Sequence, residues 1–252
     1  MITREQLQGF AAANGVPLFT QERDYVQALF LSRLYEIEPP LVFKGGTCLR
    51  LIGNLPRFSD DLDFTATRGL AEIRAPLTKA AEELGRVGMW ARVNKERHTA
   101  DGFKCRLRYR GPLYTGEERT AGSIALEISL RKDVVLKPEW RTISPVYPDA
   151  PPFTALCMQI QEILAEKIRA LLVRAAPRDL YDIWFLLSKG VKPRLSLIDQ
   201  KLGLYKKKFH MDVFKTSVER ARKNWARDLA PLLSSVPRFD AVAKEAVSRL
   251  QE

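Results

Sequence analysis

A pair of glycines followed by two closely spaced aspartates constrains this chain more than any other feature of its sequence. A short apolar segment ends just before Gly45 and Gly46, a helical stretch begins at Thr47, and fourteen residues separate Gly46 from Asp61. Asp61 and Asp63 flank a leucine on the next predicted strand. Because successive side chains of a strand point to opposite faces, both carboxylates lie on one face and the leucine on the other. The order of these elements predicts an α/β unit whose acidic pair lies beside a glycine turn.

The chemistry of this pattern suits a nucleotide bound together with a metal ion. Two carboxylates directed at one point repel each other unless a hard divalent cation lies between them, and Mg²⁺ with substrate phosphates is the usual occupant. A helix that starts at a glycine turn can receive phosphate on its free N–H groups, and the Thr47 hydroxyl can donate to a phosphate oxygen. A lone Asp-x-Asp is usually a solvated loop, and a lone Gly-Gly is usually a turn. Their occurrence in this order is much more specific than either one.

The rest of the sequence divides into two halves of different character. Up to about residue 150, predicted helices (3–13, 20–38, 47–52 and 69–84) alternate with predicted strands (41–43, 62–65, 103–110 and 123–131). Five prolines between residues 137 and 153 predict a linker or a crossing loop. Everything beyond is predicted to be helical: about residues 154–174, 178–188, 196–210, 212–233 and 239–252. We therefore expect residues 1–150 to form an α/β domain with N-terminal helices, and residues 151–252 to form a helical domain.

Composition excludes several other classes of protein. With 46% hydrophobic and 28% charged residues, the chain is neither disordered nor fibrous. Its three cysteines are far apart, which favours a reducing compartment over a disulfide framework, and its two histidines exclude a multi-histidine metal site. No apolar run approaches the roughly 18 residues that span a bilayer, and the N-terminus has no apolar signal region. These features predict a cytoplasmic protein that does not associate with membranes.

The net charge indicates an anionic partner. Forty-one Lys and Arg stand against thirty Asp and Glu, a net charge of +11, and such an excess is typical of proteins that bind nucleic acid, nucleotide or a strongly acidic protein. Two basic groups stand out: alternating cations on strand 103–110, and nine Lys or Arg within residues 201–228. We expect members of both groups to bind RNA: Lys104, Arg106, Arg108, Arg110, Lys206, Lys207 and Lys208. The alternative for the second group is an ordinary solvated helical surface.

Two segments carry a resemblance to a known family. Residues 43–50 (FKGGTCLR) and 57–64 (RFSDDLDF) resemble the AbiEii/AbiGii family, nucleotidyltransferase toxins of bacterial type IV toxin–antitoxin pairs. More broadly, they are similar to the superfamily that includes DNA polymerase β. Thr47 stands where many members have Ser, and the long interval before Asp61 is usual for the toxin family. The resemblance implies an α+β fold, in which a polymerase-β-like mixed sheet with flanking helices is followed by an all-helical C-terminal part.

A second signature lies in the predicted helices beyond residue 150. Lys167 falls inside the apolar stripe of its helix, so its ammonium must be paired, reach solvent or face a ligand. A triphosphate would satisfy it, and so would Asp179 or Asp182 in the next helix. Residues 164–184 (LAEKIRALLVRAAPRDLYDIW) are similar to the Lys-bearing helix and Arg-Asp-h-h-Asp motif of the same family. The resemblance implies that Lys167 binds phosphates and that Asp179, with or without Asp182, completes the site. The alternative for Asp179 is ordinary helix-start chemistry.

The resemblance also implies a full set of site residues. Asp61 and Asp63 would hold the metal, Mg²⁺ or Mn²⁺. Glu127, on the face of its strand opposite four aliphatic side chains, would complete the metal site or activate the attacking hydroxyl. The alternative is that Glu127 is a solvent-facing strand residue. Lys167 and Asp179 complete the catalytic set. The residues assigned to binding of the nucleotide and its phosphates are Lys44, Gly45, Gly46, Thr47, Arg57, Ser59 and Asp182.

The implied reaction is transfer of a nucleotidyl group from an NTP to RNA. The acceptor is expected to be the 3′ end of tRNA, so that the reaction blocks translation, and a separately encoded antitoxin would restrain it. Two alternatives stay open. The first is a basic RNA- or nucleotide-binding module without catalysis, and the second is transfer to a protein or small-molecule acceptor.

Overall fold

The computed structural model describes residues 1–99 and 101–251, and these form two compact units. The first consists of Met1–Val134 with Pro138–Met158, and the second of Val135–Lys137 with Gln159–Glu252. The domain boundary predicted near residue 150 falls within the first unit, between its last two strands. Glu252, the last residue of the predicted C-terminal helix, lies outside the described residues.

The first unit is built on a seven-stranded mixed sheet. Its strands are β1 (Leu41–Lys44), β2 (Leu62–Ala66), β3 (Trp90–Thr99), β4 (Gly102–Arg110), β5 (Gly122–Ser129), β6 (Glu139–Ile143) and β7 (Phe153–Cys157). Their spatial order is β3-β4-β5-β2-β1-β7-β6. The pairs β2/β5 and β1/β7 are parallel, and the other neighbours are antiparallel. The helices are α1 (Arg4–Asn14), α2 (Leu18–Tyr35), α3 (Gly45–Gly53) and α4 (Ala71–Glu83). The predicted mixed sheet with flanking helices is thereby confirmed.

The two faces of the sheet differ because side chains alternate along each strand. Apolar side chains of β4 and β5 are buried on one face, among them Phe103, Cys105, Leu107, Ile124, Leu126 and Ile128. The helices α2 and α4 pack against this apolar face, where Tyr109 Oη donates to Glu22 and Arg74 lies over the Phe103 ring. The opposite face, called the polar face below, carries charged residues from four strands: Lys44, Asp63, Lys104 and Glu127.

Three of the strands differ from the sequence prediction. β3 has four charged residues among its ten, and its apolar residues, Trp90, Ala91 and Val93, do not alternate along its length. The segment therefore has no apolar period, and pairing with β4 orders it. The strands β6 and β7 occupy the segment predicted as a proline-rich linker and the start of a predicted helix. Their prolines lie before and between the two strands and never inside a strand, which keeps the hydrogen-bond ladder intact.

Helix boundaries in the first unit also differ from prediction. α2 begins at Leu18 after Pro17, two residues before the start predicted at residue 20. α3 begins at Gly45 directly after β1, two residues earlier than predicted. The glycine pair therefore forms the first turn of α3 and does not precede the helix.

The second unit is helical. It contains α5 (Ile160–Arg174), α6 (Pro177–Ser188), α7 (Leu195–Gly203), α8 (Met211–Ala221), α9 (Trp225–Leu229) and α10 (Phe239–Gln251). The helix α5 packs against α6, α7 and α8, and α6 packs against α10. The predicted helix 196–210 ends at Gly203, and the predicted helix 212–233 is divided into α8 and α9 by a short 3₁₀ turn.

Two further sequence expectations concern cysteines and membranes. Cys48, Cys105 and Cys157 are buried free thiols. Burial raises the pKa of Cys105 to about 12 and raises the pKa of Cys48 well above its ordinary value, so both thiols stay protonated. In the part of the chain that the structure describes, no helix has the length and apolar character needed to cross a bilayer.

Candidate active site

The polar face carries a row of charged residues across four neighbouring strands. Lys44 on β1 is opposite Asp63 on β2, Asp63 is beside Glu127 on β5, and Glu127 is opposite Lys104 on β4. Asp61 lies just before β2. Because directly paired residues of adjacent strands have neighbouring Cβ atoms, the sheet brings Asp63 and Glu127 together from distant parts of the sequence.

The glycine pair allows α3 to start against these carboxylates. Gly45 has a φ of +76°, and a Cβ atom at this position would overlap the Asp63 carboxylate. A Cβ atom on Gly46 would lie 2.8 Å from Arg57 Nη2 and 2.8 Å from Ser59 Oγ. The first turn of α3, the Asp63 carboxylate, the Arg57 guanidinium and the Ser59 hydroxyl are therefore packed around two glycine α-carbons. A helix N-terminus that begins with glycines can offer its free N–H groups to phosphate.

Gly45→Ala is expected to destabilise the protein and to abolish its activity, because the new methyl group displaces Asp63. The left-handed backbone alone costs about 1–2 kcal/mol. Gly88→Ala is the matched control, since Gly88 has a φ of +74° in the same unit with no atom within 4 Å of the added Cβ. Urea unfolding of both variants, read with activity, separates backbone strain from the overlap. Equal losses of stability and activity in the two variants would contradict the packing described for Gly45.

The loop that carries Asp61 is held in place from both sides. The Thr47 hydroxyl donates to the Asp61 carbonyl oxygen at 2.6 Å. Gln27 Nε2 of α2 donates to the Ser59 carbonyl oxygen at 3.1 Å, and Arg23 of the same helix pairs with Asp60. Thr47, predicted from sequence to bind phosphate, thus also positions the acidic loop.

One site residue that sequence reasoning missed is Asp133, in the segment after β5. Its carboxylate, 8% exposed, accepts hydrogen bonds from Thr65 Oγ1 at 2.9 Å and Ser129 Oγ at 3.1 Å. Lys44 Nζ lies 3.3 Å from the same carboxylate. The predicted phosphate-binding lysine is therefore held by a buried carboxylate at the edge of the Asp63 and Glu127 pair. No local pattern distinguishes Asp133, because its neighbours come together only in the folded sheet.

The carboxylates on the polar face suit a hard divalent cation. Asp61, Asp63 and Glu127 supply oxygen donors, which Mg²⁺ prefers. Glu127 Oε1 lies 2.8 Å from Lys104 Nζ, and both side chains are about half exposed. Among residues 1–99 and 101–251, no group of three or more His, Cys, Asp or Glu is arranged to hold a metal ion. Proteins usually bind Mg²⁺ through one or two carboxylates together with substrate phosphates, and the adjacent Asp63 and Glu127 fit that mode.

The second unit contains a buried ion cluster between α5 and α6. Lys167 Nζ lies 2.8 Å from Asp182 Oδ2 and 3.4 Å from Asp179 Oδ1. Arg174 donates from Nε and Nη2 to the two Asp179 oxygens at 2.7 and 2.9 Å. Both aspartates are completely buried. The ammonium of Lys167 is thus paired with the next helix, which is one of the two alternatives drawn from the sequence, and its contact with phosphate stays a prediction. Arg174 was not singled out by any sequence pattern.

The basic run of the second unit is only partly at the surface. Lys206, Lys207 and Lys208 are exposed in the loop after α7. Lys201, which belongs to the same run, is not at the surface, because its side chain is 1% exposed. It lies 2.5 Å from Glu162 and 3.2 Å from Glu166. A lysine on a helix is buried when acidic partners face it, and sequence spacing alone does not show that.

The cations of β4 occupy the polar face as predicted, and most of them have acidic neighbours. Lys104 is paired with Glu127, and Arg108 and Arg110 are both paired with Glu118. Arg106 Nη1 donates to Ser123 Oγ at 3.3 Å. Their role toward RNA stays a prediction.

A mixed sheet that sets a glycine-rich helix start beside carboxylates on two adjacent strands defines a nucleotidyltransferase fold. The chain belongs to the AbiEii family: the family model described as "Nucleotidyl transferase AbiEii toxin, Type IV TA system" matches residues 29–245. The family resemblance drawn from the sequence is thereby confirmed.

Two solved structures are similar to this chain in fold. MenT4, a nucleotidyltransferase toxin from Mycobacterium tuberculosis H37Rv, has a TM-score of 0.73 at 23% identity, covering 99% of this chain and 89% of MenT4. JHP933 from Helicobacter pylori has a TM-score of 0.58 at 20% identity, covering 92% of this chain and 90% of JHP933. No curated protein matches the sequence. At these identities the similarity to the solved structures concerns the fold alone.

Proposed function

We propose that this protein transfers a nucleotidyl group from an NTP to the 3′ end of an RNA, expected to be tRNA, and so blocks translation. The observation that carries the proposal is the adjacency of Asp63 and Glu127 on the polar face, beside the first turn of α3. Membership of a nucleotidyltransferase toxin family supports the reaction class. The type IV toxin–antitoxin assignment supports a separately encoded antitoxin as partner. We propose that the protein acts in the cytoplasm.

The carboxylates would hold Mg²⁺ or Mn²⁺ with the triphosphate. Asp61 and Asp63 are the proposed metal ligands, and Glu127 completes the metal site or accepts the proton of the attacking 3′-hydroxyl. A divalent ion held there would supply charge stabilisation for the attacking and leaving oxygens. Removing the proton makes the hydroxyl oxygen nucleophilic, and pyrophosphate leaves as the new phosphodiester forms.

The groups around the glycine pair would bind and orient the triphosphate. The α3 N–H groups, the Arg57 guanidinium and the Ser59 hydroxyl surround Gly46, and Lys44 is fixed by Asp133 beside Asp63. Preorganised donors of this kind stabilise charge that develops in the transition state, and the loss of one typically costs about 10²- to 10³-fold in rate. Lys167, with Asp179 and Asp182, is proposed to add a further cation for the phosphates.

The test is to incubate the purified protein with total RNA and each labelled NTP in turn, with Mg²⁺ or with a chelator. The expected result is label in RNA, dependent on Mg²⁺ and located at the 3′ end when the product is digested. If a protein or a small molecule becomes labelled instead, that molecule is the acceptor and RNA is not. If RNA binds equally well without Mg²⁺ and no NTP is incorporated, the protein is a binding module and the proposal is wrong.

A further inference from the structure

The hairpin of β3 and β4, at one edge of the sheet, carries more charge than its fold requires. On the polar face its side chains meet in four cross-strand pairs: Trp90 with Arg110, Arg92 with Arg108, Asn94 with Arg106, and Arg97 with Lys104. Two of these pairs place a cation directly opposite a cation. Like charges in directly opposite positions destabilise a sheet. The arrangement is therefore not explained by the stability of the hairpin.

Carboxylates offset only part of this charge. Glu118 pairs with Arg108 and Arg110, and Glu127 pairs with Lys104. Three exposed guanidiniums on the same face form no ion pair with any carboxylate of residues 1–99 and 101–251: Arg92, Arg97 and Arg106. Charged residues on an edge strand can also prevent sheet-to-sheet association. That reason applies to β3 alone, whereas the inner strand β4 carries four of the cations.

An exposed aromatic ring lies at the far end of the same face. Trp90 is 43% exposed. The Arg110 guanidinium lies 4.6 Å from the Trp90 ring centroid and 5.0 Å from that of Tyr114. Proteins that bind single-stranded nucleic acid combine a positively charged track for phosphates with aromatic side chains on which bases stack. The hairpin presents both on one surface.

This surface is continuous with the carboxylates of the proposed active site. Lys104 is opposite Glu127, and Glu127 is beside Asp63. From Lys104 to Arg110 the strand spans roughly 20 Å at about 3.4 Å per residue. That length accommodates no more than about six stacked nucleotides at about 3.4 Å each. A single-stranded RNA whose 3′ end reaches Asp63 can therefore follow the hairpin as far as Trp90.

We propose that the β3–β4 hairpin binds the single-stranded 3′ segment of the acceptor RNA. Arg92, Arg97 and Arg106 contact its phosphates, and a base stacks on Trp90. This inference rests on the proposed function for the identity of the acceptor. It adds that the acceptor must end in unpaired nucleotides and that β3, which no sequence pattern marked, selects for them.

The experiment measures binding of two RNA stem-loops, one blunt and one with a six-nucleotide 3′ overhang, by fluorescence anisotropy in chelator. Binding without transfer keeps this test separate from the proposed reaction. The triple variant Arg92→Gln, Arg97→Gln, Arg106→Gln is compared with Arg4→Gln, Arg68→Gln, Lys79→Gln. The control triple removes the same charge from exposed positions of the first unit that lie outside the hairpin.

The expected result is that the native protein prefers the overhang and that the hairpin triple loses this preference. The slope of log K against log salt should flatten by about 2, since each single-strand phosphate contact contributes about 0.7. Trp90→Ala should weaken overhang binding by about 5- to 150-fold, the range typical of one stacked base, and leave blunt binding unchanged.

Three results would overturn the inference. The first is equal binding of blunt and overhang RNA by the native protein. The second is an equal effect of the two triple variants on RNA binding. The third is that the hairpin triple loses binding to poly-glutamate but not to RNA, which would assign the surface to an acidic protein partner. If overhang binding behaves as expected while no NTP is incorporated into RNA, the inference stands and the proposed reaction fails.

Discussion

Asp63→Asn is expected to reduce nucleotidyl transfer by about a thousandfold or more while the protein keeps its fold. The amide retains the shape of the carboxylate against Gly45, but it removes the charge that would hold the metal next to Glu127. Charge stabilisation by a bound metal is worth several kcal/mol in the transition state, and each 1.36 kcal/mol corresponds to about tenfold in rate. Asp61→Asn should have an effect of the same order.

The control for this prediction is Glu72→Gln, a neutralised carboxylate on α4. The Glu72 side chain is half exposed, and among the described residues it pairs only with the exposed Arg68, so its loss should leave the rate unchanged. Initial rates of NTP incorporation and thermal unfolding are measured for all three variants. Asp63→Asn with near-native rate would refute the metal assignment, and loss of its fold would show that Asp63 is needed for structure.

Lys167→Met is expected to lower the free energy of unfolding by about 3–5 kcal/mol, because it removes the shared cation from two buried carboxylates. Asp182→Asn in the Lys167→Met background should recover part of this loss, since the amide removes the buried charge. Lys192→Met, at an exposed position of the second unit, should change stability little. Urea titration gives these free energies from the midpoint and slope.

The catalytic role of Lys167 requires a separate measurement. On the folded fraction of Lys167→Met, the KM for the NTP and the kcat are compared with those of the native protein. If Lys167→Met leaves the free energy of unfolding unchanged, the ion cluster of α5 and α6 does not hold the second unit together. A folded variant with native kinetic constants would leave Lys167 with a structural role only.

Local patterns predicted the part of the site that is built from neighbouring residues. Gly45, Gly46 and Asp63 could be found because a helix start and an alternating strand leave a short-range signature. Glu127 was placed only through resemblance, since nothing in its own strand states which strand lies beside it. Its position next to Asp63 is a property of the sheet order.

Residues that depend on long-range packing could not be predicted. Asp133 lies close to Lys44 because β1, β2 and β5 are neighbours, although the two residues are far apart in the sequence. Lys201 resembles any surface lysine until Glu162 is folded against it. The strand β3 has no apolar alternation, and only its register with β4 shows that its cations share one face with the carboxylates.

The position of the transferred label tests the central claim most directly. RNA with an unpaired 3′ end is incubated with one NTP labelled at the α-phosphate and, in parallel, with the same NTP labelled at the γ-phosphate. The account predicts that the α-label enters RNA and that the γ-label is released as pyrophosphate. With the Asp63→Asn variant, neither product should form. Transfer of the γ-label to RNA, or α-label that appears equally with Asp63→Asn, would contradict it.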